Sequence, residues 1–209
     1  MTARQRGYNA ELRNTRSVYT PQMVVDGRSE AVGSREREVD NLITQARRDG
    51  APRVAVNLDR RAGSGLDISV SGAGGEKADV WLVTFVREHT TKVLRGENHG
   101  KSLTNHNIVR DIRRVGAWDG TAAGIAVEDL SLEDGQGCAV LVQDGATGPV
   151  LGAAYCPAGA GGAASWGHRA GRTSACLTGK VLRAEGAQIV LVFHEPRIGP
   201  FDTLAQADP

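Results

Sequence analysis

The chain has 209 residues, 40% of them apolar and 23% charged, and its 25 basic and 24 acidic side chains leave a formal net charge of +1. That is room for one large or two small globular units, and the balanced charge excludes a broad electrostatic footprint for nucleic acid or an anionic membrane. No run reaches the roughly 20 apolar residues of a membrane span, and the polar start from Met1 to Gly7 lacks the charged-then-apolar order of an export signal.

Met1 to Arg13 carries no turn residue except Gly7 and places Tyr8 and Leu12 four apart, as at the end of an amphipathic helix that begins before this sequence. Ser17 to Val25 reads as a strand interrupted by Pro21. Asp26-Gly27 then supplies a hairpin turn before a second strand from Ser29 to Gly33. Ser34 is the predicted N-cap of a helix with Glu36 and Glu38 in its first turn. Val39, Leu42, Ile43 and Ala46 form its buried stripe, and Gly50 and Pro52 end it.

From Arg53 the period changes to two. Val54, Val56 and Leu58 alternate, as do Leu66, Ile68 and Val70 after a turn at Ala62 to Gly65. Val80 to Val86 is nearly continuous in apolar residues. Further strands are predicted at Lys92 to Leu94, Ile108 to Val115, Gly124 to Val127, Ala139 to Gln143 and Val150 to Ala154. So many short strands suggest a β-sandwich with Trp81 and Trp118 in its interior. Pro157 to Cys176 is dominated by Gly and Ala, and Ile189 to Phe193 is the one strand-like piece beyond Tyr155. The cysteines, Cys138, Cys156 and Cys176, do not form a C-x-x-C pair or a zinc knuckle. Buried free thiols are expected, with Cys138 a small strand residue and one disulfide at most; a Cys156 to Cys176 bridge is the one considered.

Three stretches, Arg16-Ser-Val-Tyr-Thr-Pro-Gln-Met-Val-Val-Asp-Gly27, Arg95-Gly-Glu-Asn-His-Gly-Lys-Ser-Leu-Thr-Asn-His-Asn-Ile-Val-Arg110 and Val115-Gly-Ala-Trp-Asp-Gly120, resemble the secreted thioredoxin-like proteins of domain of unknown function family 1223. The resemblance spans Thr2 to Ala154. It implies a bacterial, periplasmic or secreted protein with a thioredoxin-like domain, a C-x-x-C motif near that domain's start, and a β-rich extension. Here the part carrying the paired thiols has no counterpart, and what remains corresponds to the second helix, the proline-led strand, the closing hairpin and the last helix. The fold class expected is therefore α+β: a partial thioredoxin-like domain over residues 1–52, a β-sandwich-like antiparallel domain over 53–155, and an irregular tail over 156–209. Without the strands that would pair with Met23 to Val25, the first unit is expected to be poorly packed or exposed.

The resemblance also implies that Thr20-Pro21 is a cis bond in a loop that pairs with bound peptide; a plain proline at a strand edge is the blander reading. Gly96 to Ser102 is one residue short of a phosphate-binding loop and leads into a strand rather than a helix N-terminus, so nucleotide binding is not expected. Glu97, Asn98, Asn105, His106, Asn107 and Arg110 form a candidate polar recognition cluster, against the plainer reading of turn-stabilising Asn side chains and a surface ion pair. No catalytic residue, metal site or cofactor is assigned. The leading expectation is a non-catalytic member that recognises a protein or peptide. The alternatives are a thiol-disulfide oxidoreductase whose C-x-x-C segment lies upstream of Met1, and a purely structural β-sandwich module.

Overall fold

The computed structural model describes residues 2–49, 54–61, 63–72, 77–94, 99–157, 180–182 and 190–193. Helix α1 (Thr2–Arg13) is followed by strands β1 (Gln22–Val25) and β2 (Ser29–Val32) and by helix α2 (Glu36–Arg48). The turn joining β1 to β2 has positive φ at both Asp26 and Gly27 and closes with the Arg28 N–H donating to the Val25 carbonyl at 3.0 Å. This is the primed geometry that matches strand twist. Gly27 is also required sterically, because a Cβ there would run into the Gly148 carbonyl.

In α2 the expected stripe is formed: Leu42, Ile43 and Ala46 pack with Met23 and Val25, and Val39 is buried. The cap differs from expectation. Arg35, not Ser34, occupies the N-cap, and no side chain caps the helix. The Arg35 N–H donates back to Val32 at 2.9 Å, which keeps Ser34 in the preceding turn. The Glu38 and Val39 N–H groups, in the first turn of the helix, then bond to the Arg35 carbonyl at 3.0 and 3.1 Å.

In chain order the remaining strands are β3 (Val54–Arg60), β4 (Leu66–Gly72), β5 (Ala78–Lys92), β6 (Ser102–Trp118), β7 (Ala123–Val127), β8 (Gln136–Gln143), β9 (Val150–Tyr155), β10 (Lys180–Leu182) and β11 (Val190–Phe193). They form a three-stranded sheet, β3-β4-β7, and an eight-stranded sheet, β2-β1-β11-β10-β6-β5-β8-β9. Every pairing is antiparallel. The chain is thus a mixed α/β protein dominated by antiparallel sheet. Lys92 to Leu94 is not a separate strand: Lys92 ends β5, and the pairing runs on through Val93 to Lys101.

Alternation along the strands assigns the two faces of the large sheet. Val80, Leu82, Cys138, Val140, Val142 and Leu151 face the small sheet, where Val54, Leu66, Ile68, Val70 and Val127 complete a buried core with Trp118. Trp81, Val83 and Leu141 face the other way and meet Tyr8 and Leu12 of α1 with Val24 of β1. Trp118 therefore fills the space between the sheets as expected. Trp81 does not, because it lies between two inward positions and the pleat turns it to the helix-covered face.

The expected exposure of the N-terminal unit is not observed. Val24 and Val25 are 0% and 1% exposed, since β1 is paired on both edges, by β2 and by β11. β11 lies where the sequence showed its one late strand. β10 is an addition, held by β11 and meeting β6 at Ile108.

Candidate functional site

Two buried polar side chains of α1 shape the loop that leads to β1. Asn9, fully buried, donates to the Ser17 carbonyl at 2.7 Å, and Gln5 donates to the Tyr19 carbonyl at 2.8 Å. Buried amides are tolerated because each finds a partner, and here the partner is loop backbone, so the loop is fixed on the helix. Thr20-Pro21 is cis, as the family resemblance implied, and the Pro21 carbonyl accepts from the Gly33 N–H at 2.7 Å. The loop therefore closes against the far end of β2.

Beside this loop lies a cleft of about 360 Å³, walled by Arg13 of α1, Ser17 and Tyr19 of the loop, Glu30 of β2, and Arg35 and Glu38 at the start of α2. Arg13 sits over the Tyr19 ring, 4.9 Å from its centroid, and its Nε is 3.4 Å from the Glu30 carboxylate. The Tyr19 hydroxyl donates to the same carboxylate. Gln22 Nε2 donates to it at 3.2 Å and to Asn9 at 2.5 Å. Arg35 and Glu38 form an exposed pair at 3.3 Å. Burial, the largest influence, pushes the Glu30 carboxyl above its ordinary value; Arg13 opposes the rise and Glu38 adds to it. Cation-over-ring contact and shared hydrogen bonds thus hold one carboxylate, one guanidinium and one phenol in a common wall.

The sequence pointed to Thr20 and Pro21 but to none of the wall residues. The signal was present in Tyr19, two residues before the proline, and in Glu30, a lone charge in a short strand that also buries Ala31.

The described members of the second candidate, the polar cluster, are spread along β6. Glu97 and Asn98 lie outside the described residues. Asn105 and His106 are successive on β6 and so point to opposite faces. Asn105 stands across from His89, while His106 Nδ1 is 3.4 Å from the Glu88 carboxylate, both side chains being exposed. Asn107 has a positive φ of 50°. Arg110 is the extra residue where the register against β5 shifts between Thr84 and Phe85, a β-bulge. β8 accompanies β5 only from Asp79 to Val86, so Glu88 to Lys92 and Ser102 to His106 form a two-stranded ribbon beyond it. In the sheet order β10 and β11 separate β6 from β1 and the Thr20-Pro21 loop.

The cysteines correct the sequence reading. Cys138 and Cys156 form a disulfide, with Cα atoms 5.3 Å apart, rather than free thiols or a Cys156 to Cys176 bridge; Cys176 lies outside the described residues. The bridge belongs to the core between the two sheets, on the face of the large sheet opposite α1. Among the described residues no group of three or more His, Cys, Asp or Glu is placed to hold a metal ion, and no helix is long and apolar enough to cross a membrane.

Residues 1–143 match the family model described as protein of unknown function (DUF1223). The chain belongs to the DUF1223 family. A crystal structure of an Agrobacterium tumefaciens protein, a structural-genomics target, is similar to this DUF1223 chain at 29% identity and a TM-score of 0.60, over 80% of this chain and 73% of that one. No curated protein matches it.

Proposed function

We propose that this DUF1223 chain is an exported, thioredoxin-like binding protein that takes a short stretch of polypeptide into the cleft beside Thr20-Pro21 and carries out no thiol chemistry there. The observation that carries the reading is the cleft itself. Its guanidinium and hydroxyl groups can donate to peptide carbonyls, its two carboxylates can accept from peptide N–H groups, and Ala31 and Val32 give it an apolar strip. At about 360 Å³ it is at the small end of ligand sites, which suits a few residues of chain rather than a cofactor.

The thioredoxin-like part of the reading is supported by the order helix, proline-led strand, strand, helix. The two helices also cover opposite faces of the hairpin, Val24 packing with α1 and Val25 with α2. Disulfide exchange needs a thiolate within reach of its target. Among the described residues the cysteines are Cys138 and Cys156, bridged to each other on the far side of the large sheet. That bridge also supports export, because structural disulfides persist in oxidising compartments such as the periplasm.

Panning a random-peptide phage library on the purified chain tests the reading. Enriched peptides are expected to bind with an affinity that falls about tenfold or more in Tyr19→Ala, the usual scale for removing a buried aromatic anchor. Failure to enrich any sequence, or affinities indifferent to Tyr19→Ala, would remove the proposal.

A further inference from the structure

The cleft holds a carboxylate where a ligand's own carboxylate would fit. Arg13 reaches into it from α1 with its guanidinium stacked on Tyr19, and what occupies that guanidinium is Glu30, whose side chain is only 17% exposed. Around Glu30 stand Arg13 from α1, Tyr19 from the loop, Gln22 from β1, and Glu38 with its partner Arg35 from the start of α2. Gln22 adds an independent observation. Its side chain is fully buried, its Nε2 is committed to Asn9 and Glu30, and its Oε1 has no hydrogen-bond partner among the described residues. Glu30 therefore accepts from the Nε2 of a buried amide whose own oxygen is unsatisfied among the described residues.

Resting on the peptide-binding reading, we propose that Glu30 gates the cleft: ionised, it holds Arg13 as an internal counter-ion, and on taking up a proton it yields Arg13 to a carboxylate group of the bound peptide. The charge count agrees. With Glu30 ionised, Arg13, Arg35, Glu30 and Glu38 sum to zero; with Glu30 neutral the cleft carries one net positive charge. Burial pushes the carboxyl upward, so its proton is taken up at a higher pH than for an ordinary glutamate. Linkage fixes the sign. A ligand that prefers the protonated form binds more tightly as pH falls toward the Glu30 value and takes up protons as it binds.

The test uses a short N-acetylated alanine peptide with a free C-terminal carboxylate, beside its C-terminal amide, titrated calorimetrically into the full chain. Between about pH 8 and about pH 5 the free-acid peptide should gain about tenfold in affinity, a shift equivalent to one pH unit of coupling. Titrations in two buffers of different ionisation enthalpy should show proton uptake in the wild-type chain. Glu30→Gln, which keeps an acceptor for Tyr19 but no charge for Arg13, should bind the free acid tightly at both pH values without proton uptake. Should Glu30→Gln fail to fold, the proton count on the wild-type chain decides alone. Equal binding of acid and amide, or binding without pH dependence, overturns the gate and leaves peptide recognition standing. Binding of neither peptide at any pH overturns both.

Discussion

Gln143 is the residue on which the N-terminal helix and the large sheet depend together. It is fully buried, donates to the Tyr8 hydroxyl at 2.8 Å and to the Gly148 carbonyl at 2.6 Å, and accepts from the Arg4 guanidinium. Arg4 in turn lies over the Trp81 ring at 5.1 Å. Gln143→Leu keeps the volume but leaves the Gly148 carbonyl and Arg4 without this partner, and an unsatisfied buried polar group costs about 1–3 kcal/mol. Urea unfolding of Gln143→Leu should show a loss at the upper end of that range with an unchanged m-value; a near-neutral effect would mean that the helix is held by its apolar contacts alone. Nothing in the local pattern singles out this residue. A glutamine closing an apolar run reads as the exposed end of a strand, and only the tertiary position of Tyr8 makes it a core residue. Thr20-Pro21, by contrast, was legible from its family context, because the feature is local to two residues.

At the scale of elements, period two located β3, β4, β7, β8 and β9 to within a few residues, and the 3.6-residue period located α2. Pairing was less legible. The disulfide is the clearest case: β8 and β9 are antiparallel neighbours with Ala139 opposite Tyr155, and extending that register by one step sets Cys138 opposite Cys156, where the Cys156 N–H bonds to the Cys138 carbonyl at 2.9 Å. Both strands were read from the sequence. Folding them into a hairpin about their Asp144 to Pro149 turn brings the cysteines within one residue of register, and the register shift between Val142 and Gln143 sets them opposite, whereas counting cysteines along the chain does neither. The bridge closes a loop of sequence separation 18, for which loop-closure entropy gives about 3 kcal/mol of stabilisation. Reductant should therefore lower the unfolding free energy of the wild-type chain by about that amount and leave a Cys138→Ser, Cys156→Ser double variant unmoved. A wild-type chain indifferent to reductant would show that the two strands need no cross-link.

The whole molecule turns on the two-sided character of β5. Val80-Trp-Leu-Val-Thr-Phe-Val86 is apolar at every position but Thr84, whereas β3 and β4 alternate, and a strand with two apolar faces requires two covers. The small sheet supplies one, over Val80 and Leu82. The other, over Trp81 and Val83, comes from α1 and β1, reinforced by the Thr147 hydroxyl bonding to Glu11 and by the Val150 N–H donating to the Asp26 carbonyl at 2.8 Å. A change of period at Arg53 marks where the local pattern changes, and a local pattern carries no information about which distant segment lies on top of it. The eight-stranded sheet runs from β2 to β9 without interruption, so the segment from Arg53 to Tyr155 shares its second core with the hairpin and helix that precede it. Removing Met1 to Pro52 would bare a contiguous apolar face built on Trp81, Val83, Ile112 and Leu141, the kind of surface that drives association. The shortened chain should therefore bind a hydrophobic dye, sediment as aggregates and lack a cooperative thermal transition. If it instead stays monomeric and melts cooperatively, the β-rich part is an independent domain, and the helix over its outer face contributes to the cleft rather than to the core.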